Sequence, residues 1–332
     1  VRVALKLLKK TGSVPGIEVF TAEQLWGQIE AKRSGAGAAG VDEVDLKRPE
    51  WTVLIDKVAP KSWPNFMTSR VAAPKAFASK INEVVLLERL REVNALVGFT
   101  RVEAPEESDD PDERPPMASL CRGKPSWIPA FEVHGEGVFI RFNEKLLQQW
   151  EALPSVQERS AMIIKGHAAW RSARGLDPSK NFPGIRYVML HTLAHLLIRE
   201  LALECGYNTA SIRERIYSDS DPEMPMAGVL LYTAAADSDG TLGGLVELGK
   251  PEHLGRIMAL ALHRAAVCSS DPLCAEHDCS DDRSLHGASC HGCSFVAETS
   301  CEKGNRYLDR SLVVPTCETD NAAFFESLVV DV

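Results

Sequence analysis

Seven of the nine cysteines in this 332-residue chain lie between Cys268 and Cys317, at Cys268, Cys274, Cys279, Cys290, Cys293, Cys301 and Cys317. Within that stretch Cys290, His291, Gly292 and Cys293 read CHGC, a CxxC knuckle whose glycine permits the turn that points two sulfurs at one ion. A second pair of thiolates completes a tetrahedral set. Cys274 and Cys301 are the first choices for it, with Cys268, Cys279, His277, His286 and His291 as substitutes. A disulfide framework suits a small secreted domain, but nothing at the N-terminus resembles a signal peptide and an odd total of nine pairs poorly. An iron–sulfur cluster also uses four thiolates, yet no compact CxxCxxC run is present. The pattern therefore points to Zn2+. Four sulfurs leave no open coordination position, so such an ion holds a loop together and does not activate water.

The remaining composition sets the class. Hydrophobic residues at 45% and charged residues at 25% are ordinary for a soluble protein able to bury a core, and no apolar run of about 18 residues is long enough to span a membrane. Free-thiol usage indicates a reducing, cytoplasmic setting. The chain starts at Val1 without an initiator methionine, which reads as part of something longer. The net charge of −9 is uneven: residues 1–102 hold 16 Lys and Arg against 11 Asp and Glu, a net of +5, and the rest carries −14. Attraction to phosphate must come from the first part or from local patches. There Lys57, Lys61, Arg70, Lys75 and Lys80 are interleaved with Trp63, Phe66 and Phe77, a mixture that suits single-stranded nucleic acid and equally describes a solvated face over buried aromatics.

Periodicity gives a helix-rich mixed α/β (α+β) chain with four parts: a basic part over 1–102, an acidic disordered insertion over 103–116, a hairpin with helices over 117–184, and a Cys-rich zinc-binding domain over 185–332. Residues 1–10 and 21–30 read as short helices and Trp51–Ile55 (WTVLI) as a strand. Ile81–Val97 has apolar residues at helical spacing. Trp127–Phe142 alternates and contains Gly135 and Gly137, which predicts a hairpin beside His134. Residues 143–152 and 155–175 read as helices. The strongest helix is Tyr187–Glu204, stopped by Gly206, and it places His191 and His195 at i and i+4. Thr192 stands where an HExxH enzyme has its catalytic glutamate, so two structural histidines are expected there. Thr209–Tyr217 opens with cap residues and carries Arg213, Glu214 and Arg215, and Gly228–Tyr232 is a short buried strand. The glycines of Gly240–Gly244 fit neither a Walker loop nor GxGxxG. Pro251 starts a helix that leads to Cys268, and Arg306–Cys317 contains another short strand.

The segments YVMLHTLAHLLI, GYNTASIRERIY and GVLLYTAAADSDGTLGG, with the CHGC knuckle and Cys301, resemble the DUF1998 family of helicase-associated zinc-binding modules over about residues 185–315. VVLLERLREVNALVGFTRV, WIPAFEVHGEGVFIRF and CSSDPLCAEH resemble the DUF1998 subunits of the DISARM bacterial antiphage systems. The resemblance implies zinc on Cys274, Cys290, Cys293 and Cys301. It also implies a non-hydrolytic subunit that joins a separate, DrmA-like DNA helicase and helps it engage foreign DNA. Two other readings use different residues: an enzyme with a metal on His191 and His195 or a nucleotide over Gly240–Gly244, served by Asp237 or Asp239, and a purely structural scaffold.

Overall fold

The computed structural model describes residues 43–56, 63–100, 126–233, 244–279, 285–319 and 321–325, together with Thr21, Trp26, Ala118, Leu120 and Cys121. The predicted N-terminal helices, the 103–116 insertion, Lys57, Lys61, Asp237, Asp239 and Gly240–Gly243 lie outside the described residues. The chain divides into two compact units, Val1–Pro64 with Val93–Glu132, and Asn65–Glu92 with Val133–Val332.

In the first unit, Glu43–Ile55 is a helix, α1, where WTVLI predicted a strand. Lys47, Trp51 and Leu54 are its buried positions, and that spacing of four and three is helical. The apolar run was too short to reveal a period by itself.

The second unit is built on a sheet of order β1-β2-β3-β5-β4. Its strands are β1 (Met67–Val71), β2 (Ile81–Ala95), β3 (Ala130–Phe142), β4 (Ile212–Asp219) and β5 (Met226–Thr233). The predicted helix over Ile81–Val97 is thus a strand. Val84–Leu87 are buried consecutively, on both faces, and such a run has no period to separate strand from helix. Antiparallel pairing with β1, Val71 opposite Val84 and Thr68 opposite Leu87, decides it. The predicted hairpin is also one continuous strand. A Cβ on Gly137 would lie 2.9 Å from the Leu231 carbonyl oxygen of β5, so this glycine allows close strand approach and makes no turn. The expected strand in Arg306–Cys317 is a 3-10 turn over Arg310–Leu312.

Helices cover the sheet: α2 (Glu144–Glu151), α3 (Pro154–Ala173), α4 (Ile185–Cys205), α5 (Gly244–Leu248) and α6 (Pro251–Ala265). Of these, α4 is buried on nearly every side, packed on β4, β5 and α6, and Gly206 ends it in the left-handed conformation at φ 69°. No helix among the described residues is long and apolar enough to cross a membrane.

At the start of α4, Arg186 is 3% exposed and grips Glu144 and Glu151 of α2 at 2.7–3.0 Å, with further bonds to the Asp219 and Met226 carbonyl oxygens. Burial opposes the Arg186 charge, but the two carboxylates outweigh it and raise the guanidinium pKa. Arg186→Ala leaves two carboxylates facing each other without their cation. Urea unfolding is expected to show a loss of about 3–5 kcal/mol, against less than about 0.5 kcal/mol for a surface change such as Lys145→Ala.

Candidate metal centre

Helix α6 ends at Ala265, and the chain turns through Cys268 into a 3-10 segment, Pro272–Glu276, that carries Cys274. Asp271 caps this segment by accepting the Leu273 N–H at 3.0 Å. From the other side comes the knuckle, in which the Cys290 carbonyl oxygen accepts from the backbone N–H groups of Cys293 and Ser294 at 3.2 and 3.1 Å. Four sulfurs converge here. Cys268 and Cys290 Sγ are 3.5 Å apart, Cys274 and Cys293 Sγ 3.6 Å, Cys290 and Cys293 Sγ 3.7 Å, and all four lie within 4.8 Å of one another.

These separations fit zinc. Tetrahedral bonds of about 2.3 Å to four thiolates place the sulfurs about 3.8 Å apart. Hydrogen-bond donors surround the sulfurs as well. The Asp271 N–H points at Cys268 Sγ, and the Cys290 N–H at Cys293 Sγ, both at 3.3 Å. Arg310, 1% exposed, donates to Cys274 Sγ at 3.4 Å and to the Ala265 carbonyl oxygen. Zn2+ with four thiolates carries a net charge of −2, and this guanidinium offsets half of it inside the fold. Cys274 and Cys293 already behave as a pair. The hydrogen bond from Cys274 pulls the Cys293 thiol far down against the opposing effect of burial, helped by Ser294 and Arg310, while Cys274 is pushed up.

The neighbouring helix fastens the knuckle from outside. Arg199 of α4 donates to the carbonyl oxygens of Gly292 at 2.8 Å and Phe295 at 3.0 Å. Gly292 is required for contact and not for a left-handed turn, because a Cβ there would lie 2.3 Å from Ser270 Oγ and 2.4 Å from Ser270 Cβ. The loop bearing Cys268 and the loop bearing Cys293 meet at this point.

Of the four ligands expected from the sequence, Cys274, Cys290 and Cys293 are brought together, with Cys268 as the fourth sulfur. Cys301 is elsewhere, on a turn beneath α4 beside His191, His195 and Glu214. Eight residues beyond Cys293, the chain has already crossed from the knuckle to the helix. The other substitutes are also occupied otherwise. Cys279 packs against Gly166 of α3, its thiol pushed up to about 11 by burial, and the His277 and His286 rings lie 4.7 Å apart. His291 faces the edge of Phe295.

The remaining sequence candidates find ordinary roles. Thr192 donates to the Val188 carbonyl oxygen and accepts from the Asp309 N–H at 2.8 Å. After the glycine loop, the N–H groups of Leu245 and Val246 at the start of α5 bind the buried carboxylate of Glu136 at 2.9 and 3.2 Å. The chain thus supplies its own anion at that helix start. In the basic stretch Arg70 pairs with Glu83, Lys80 lies 4.8 Å over the Phe324 ring, Phe77 is in the core, and Lys75 is exposed.

A tetrathiolate centre held between two loops and braced by a helix defines a structural zinc-binding module. Residues 193–294 match the family model of the MrfA Zn-binding domain. All four clustered cysteines fall inside the match and Cys301 falls beyond it. Over 260 residues the chain is 43% identical to the DISARM protein DrmB of Bacillus paralicheniformis, an alignment covering 77% of this chain and 45% of that protein. The chain therefore spans less than half the length of the curated relative it matches.

The contact between the two loops is testable. Gly292→Ala is expected to release zinc to a chromophoric chelator at least tenfold faster than wild type, and adding Ser270→Gly, which removes the facing side chain, restores most of the retention. Equal release from wild type and Gly292→Ala contradicts the geometry.

Proposed function

We propose that this chain acts as a non-catalytic accessory subunit of a bacterial antiphage defence complex in the cytoplasm. Its zinc, on Cys268, Cys274, Cys290 and Cys293, is structural, and the module it stabilises joins a DrmA-like DNA helicase and helps it bind and load on foreign DNA. The observation that carries this reading is the coincidence of a closed four-sulfur site with a match to the MrfA Zn-binding domain, in a chain similar along three quarters of its length to a DISARM protein. A site with four protein sulfurs has no position left for substrate.

A docking surface beside the zinc supports the partner. An open groove of about 820 Å3 runs between the ends of α4 and α6 to the knuckle, lined by Arg199, Leu203, Tyr207, His263, Val267 and Cys293 among others. Leu203 and Val267 are 68% and 74% exposed, apolar side chains of the kind a partner covers. Lys57, Lys61, Arg70, Lys75 and Lys80 are proposed to contribute the DNA-facing charge in the complex.

Two experiments test these surfaces. Leu203→Asp with Val267→Asp is expected to weaken co-purification with the helicase at least tenfold while zinc content and Tm stay unchanged; undiminished co-purification removes the groove from the interface. Charge reversal at Lys57, Lys61 and Lys75 is expected to lower the affinity of the complex for DNA and to flatten its dependence on salt. Unchanged affinity and slope place the DNA elsewhere.

A further inference from the structure

Beneath the zinc module lies a second cluster of metal-ligating side chains. His191 and His195, one turn apart on α4, face Glu214 of β4 and Cys301, and all four residues are at most 3% exposed. The alternation of β4 puts Glu214 between Ile212 and Ile216 on the face turned to the core. An ionised carboxylate in that position costs several kcal/mol unless cations face it.

The hydrogen bonds orient every donor toward one point. His191 Nδ1 lies 3.2 Å from the Tyr307 carbonyl oxygen and His195 Nδ1 2.9 Å from that of Ser294. A carbonyl only accepts, so each Nδ1 carries the hydrogen and each Nε2 is turned inward. His191 Nε2 is 2.9 Å from Glu214 Oε1 and 3.1 Å from Cys301 Sγ; His195 Nε2 is 3.5 Å from the same Glu214 oxygen. Cys301 Sγ accepts from the N–H groups of Asn305 at 3.1 Å and Lys303 at 3.4 Å, in a turn with Gly304 and Asn305 at φ 56° and 60°. Burial and the Glu214 carboxylate push the Cys301 thiol well above its ordinary range, and these two N–H groups oppose them. Among the described residues, His195 Nε2 and Glu214 Oε2 are buried with no hydrogen-bond partner. Beyond the Glu302 N–H, which donates to Glu214 Oε1 at 3.1 Å, the inward-facing atoms of the cluster meet lone pair to lone pair unless a proton or a cation lies between them.

We propose that His191, His195, Glu214 and Cys301 form a second metal site that binds a divalent ion of the zinc class through two nitrogens, one oxygen and one sulfur. The donor atoms lie within 4.8 Å of one another, and the separations of 2.9–3.5 Å are within a few tenths of an ångström of those around a tetrahedral ion with bonds of about 2.0–2.3 Å. Charge balances, because one carboxylate and one thiolate neutralise a 2+ ion, so the site needs no external counter-charge in the core. Carbonyl oxygens on both Nδ1–H groups are the usual outer support of histidine ligands. With four protein donors the site is closed, and its ion ties α4, β4 and the 301–305 turn together. Ser294 links it to the first centre: its carbonyl oxygen holds His195 while its hydroxyl lies 3.2 Å from Cys293 Sγ.

Metal stoichiometry tests this independently of any partner. Loaded with excess Zn2+ and desalted, the full chain is expected to hold two ions by native mass spectrometry, and Cys301→Ser and Glu214→Gln one each. One ion in wild type, or two in both variants, overturns the second site. If the variants do not fold, a Co2+ titration of wild type decides: a second equivalent that adds the charge-transfer intensity of a single thiolate supports the site. A titration that ends after one equivalent, or a second equivalent with no thiolate band, refutes it.

Discussion

Four cysteine sulfurs within 4.8 Å of one another repel as thiolates and make only weak hydrogen bonds as thiols, so the loops that bring them together depend on a cation between them. Residues 266–279 and 285–319 contain no α-helix or strand, only short 3-10 segments and turns. Backbone ladders cannot hold such a region; Leu285, Tyr307, Leu312, Val313 and Val314 anchor it in the core, and the four clustered cysteines lie outside that core. The ion supplies the missing cross-link, Arg310 offsets part of its excess negative charge, and Arg199 fastens the knuckle to the most deeply buried helix. Everything that α4 touches, the sheet through β4 and β5 and the helix α6, is thereby referred to the zinc.

The same helix explains how a loop-rich module sits on an ordinary core. Its N-terminal end is fixed by Arg186 between two carboxylates of α2, its centre faces β4 and β5, and its C-terminal half meets the cysteine loops. Glu214 projects from the sheet into that interface, where an apolar residue would be expected. A buried carboxylate facing two imidazoles and a thiol is expensive as a packing device and economical as a ligand set. Two centres of different chemistry then act on one element: a tetrathiolate at the surface edge of α4, and a mixed nitrogen, oxygen and sulfur set at its buried middle.

Much of this was legible in the residues. CHGC announced a knuckle, Gly206 announced the end of α4, and the metal followed from ligand type and number. What misled was spacing in sequence. Cys301 lies closer in sequence to the knuckle than Cys268 does, yet a chain that crosses to α4 within eight residues carries it away, while α6 returns Cys268 to Cys290 from 22 residues upstream. Ile81–Val97 misled for a different reason: a strand buried on both faces has lost the alternation that marks a strand. The second cluster did carry a signal. Ile212, Glu214 and Ile216 in IRERI share one face of any strand, and a glutamate flanked by two core isoleucines is an anomaly that asks for a partner. His191 and His195, also set on an apolar face, provide it.

The most direct test of the central claim is X-ray absorption at the zinc edge on the chain reconstituted with a single equivalent of zinc. Occupation of Cys268, Cys274, Cys290 and Cys293 predicts a shell of four sulfurs at about 2.3 Å and no nitrogen or oxygen neighbour. A shell in which nitrogen or oxygen replaces one or more of those sulfurs would show that the four-cysteine cluster is not the principal zinc centre.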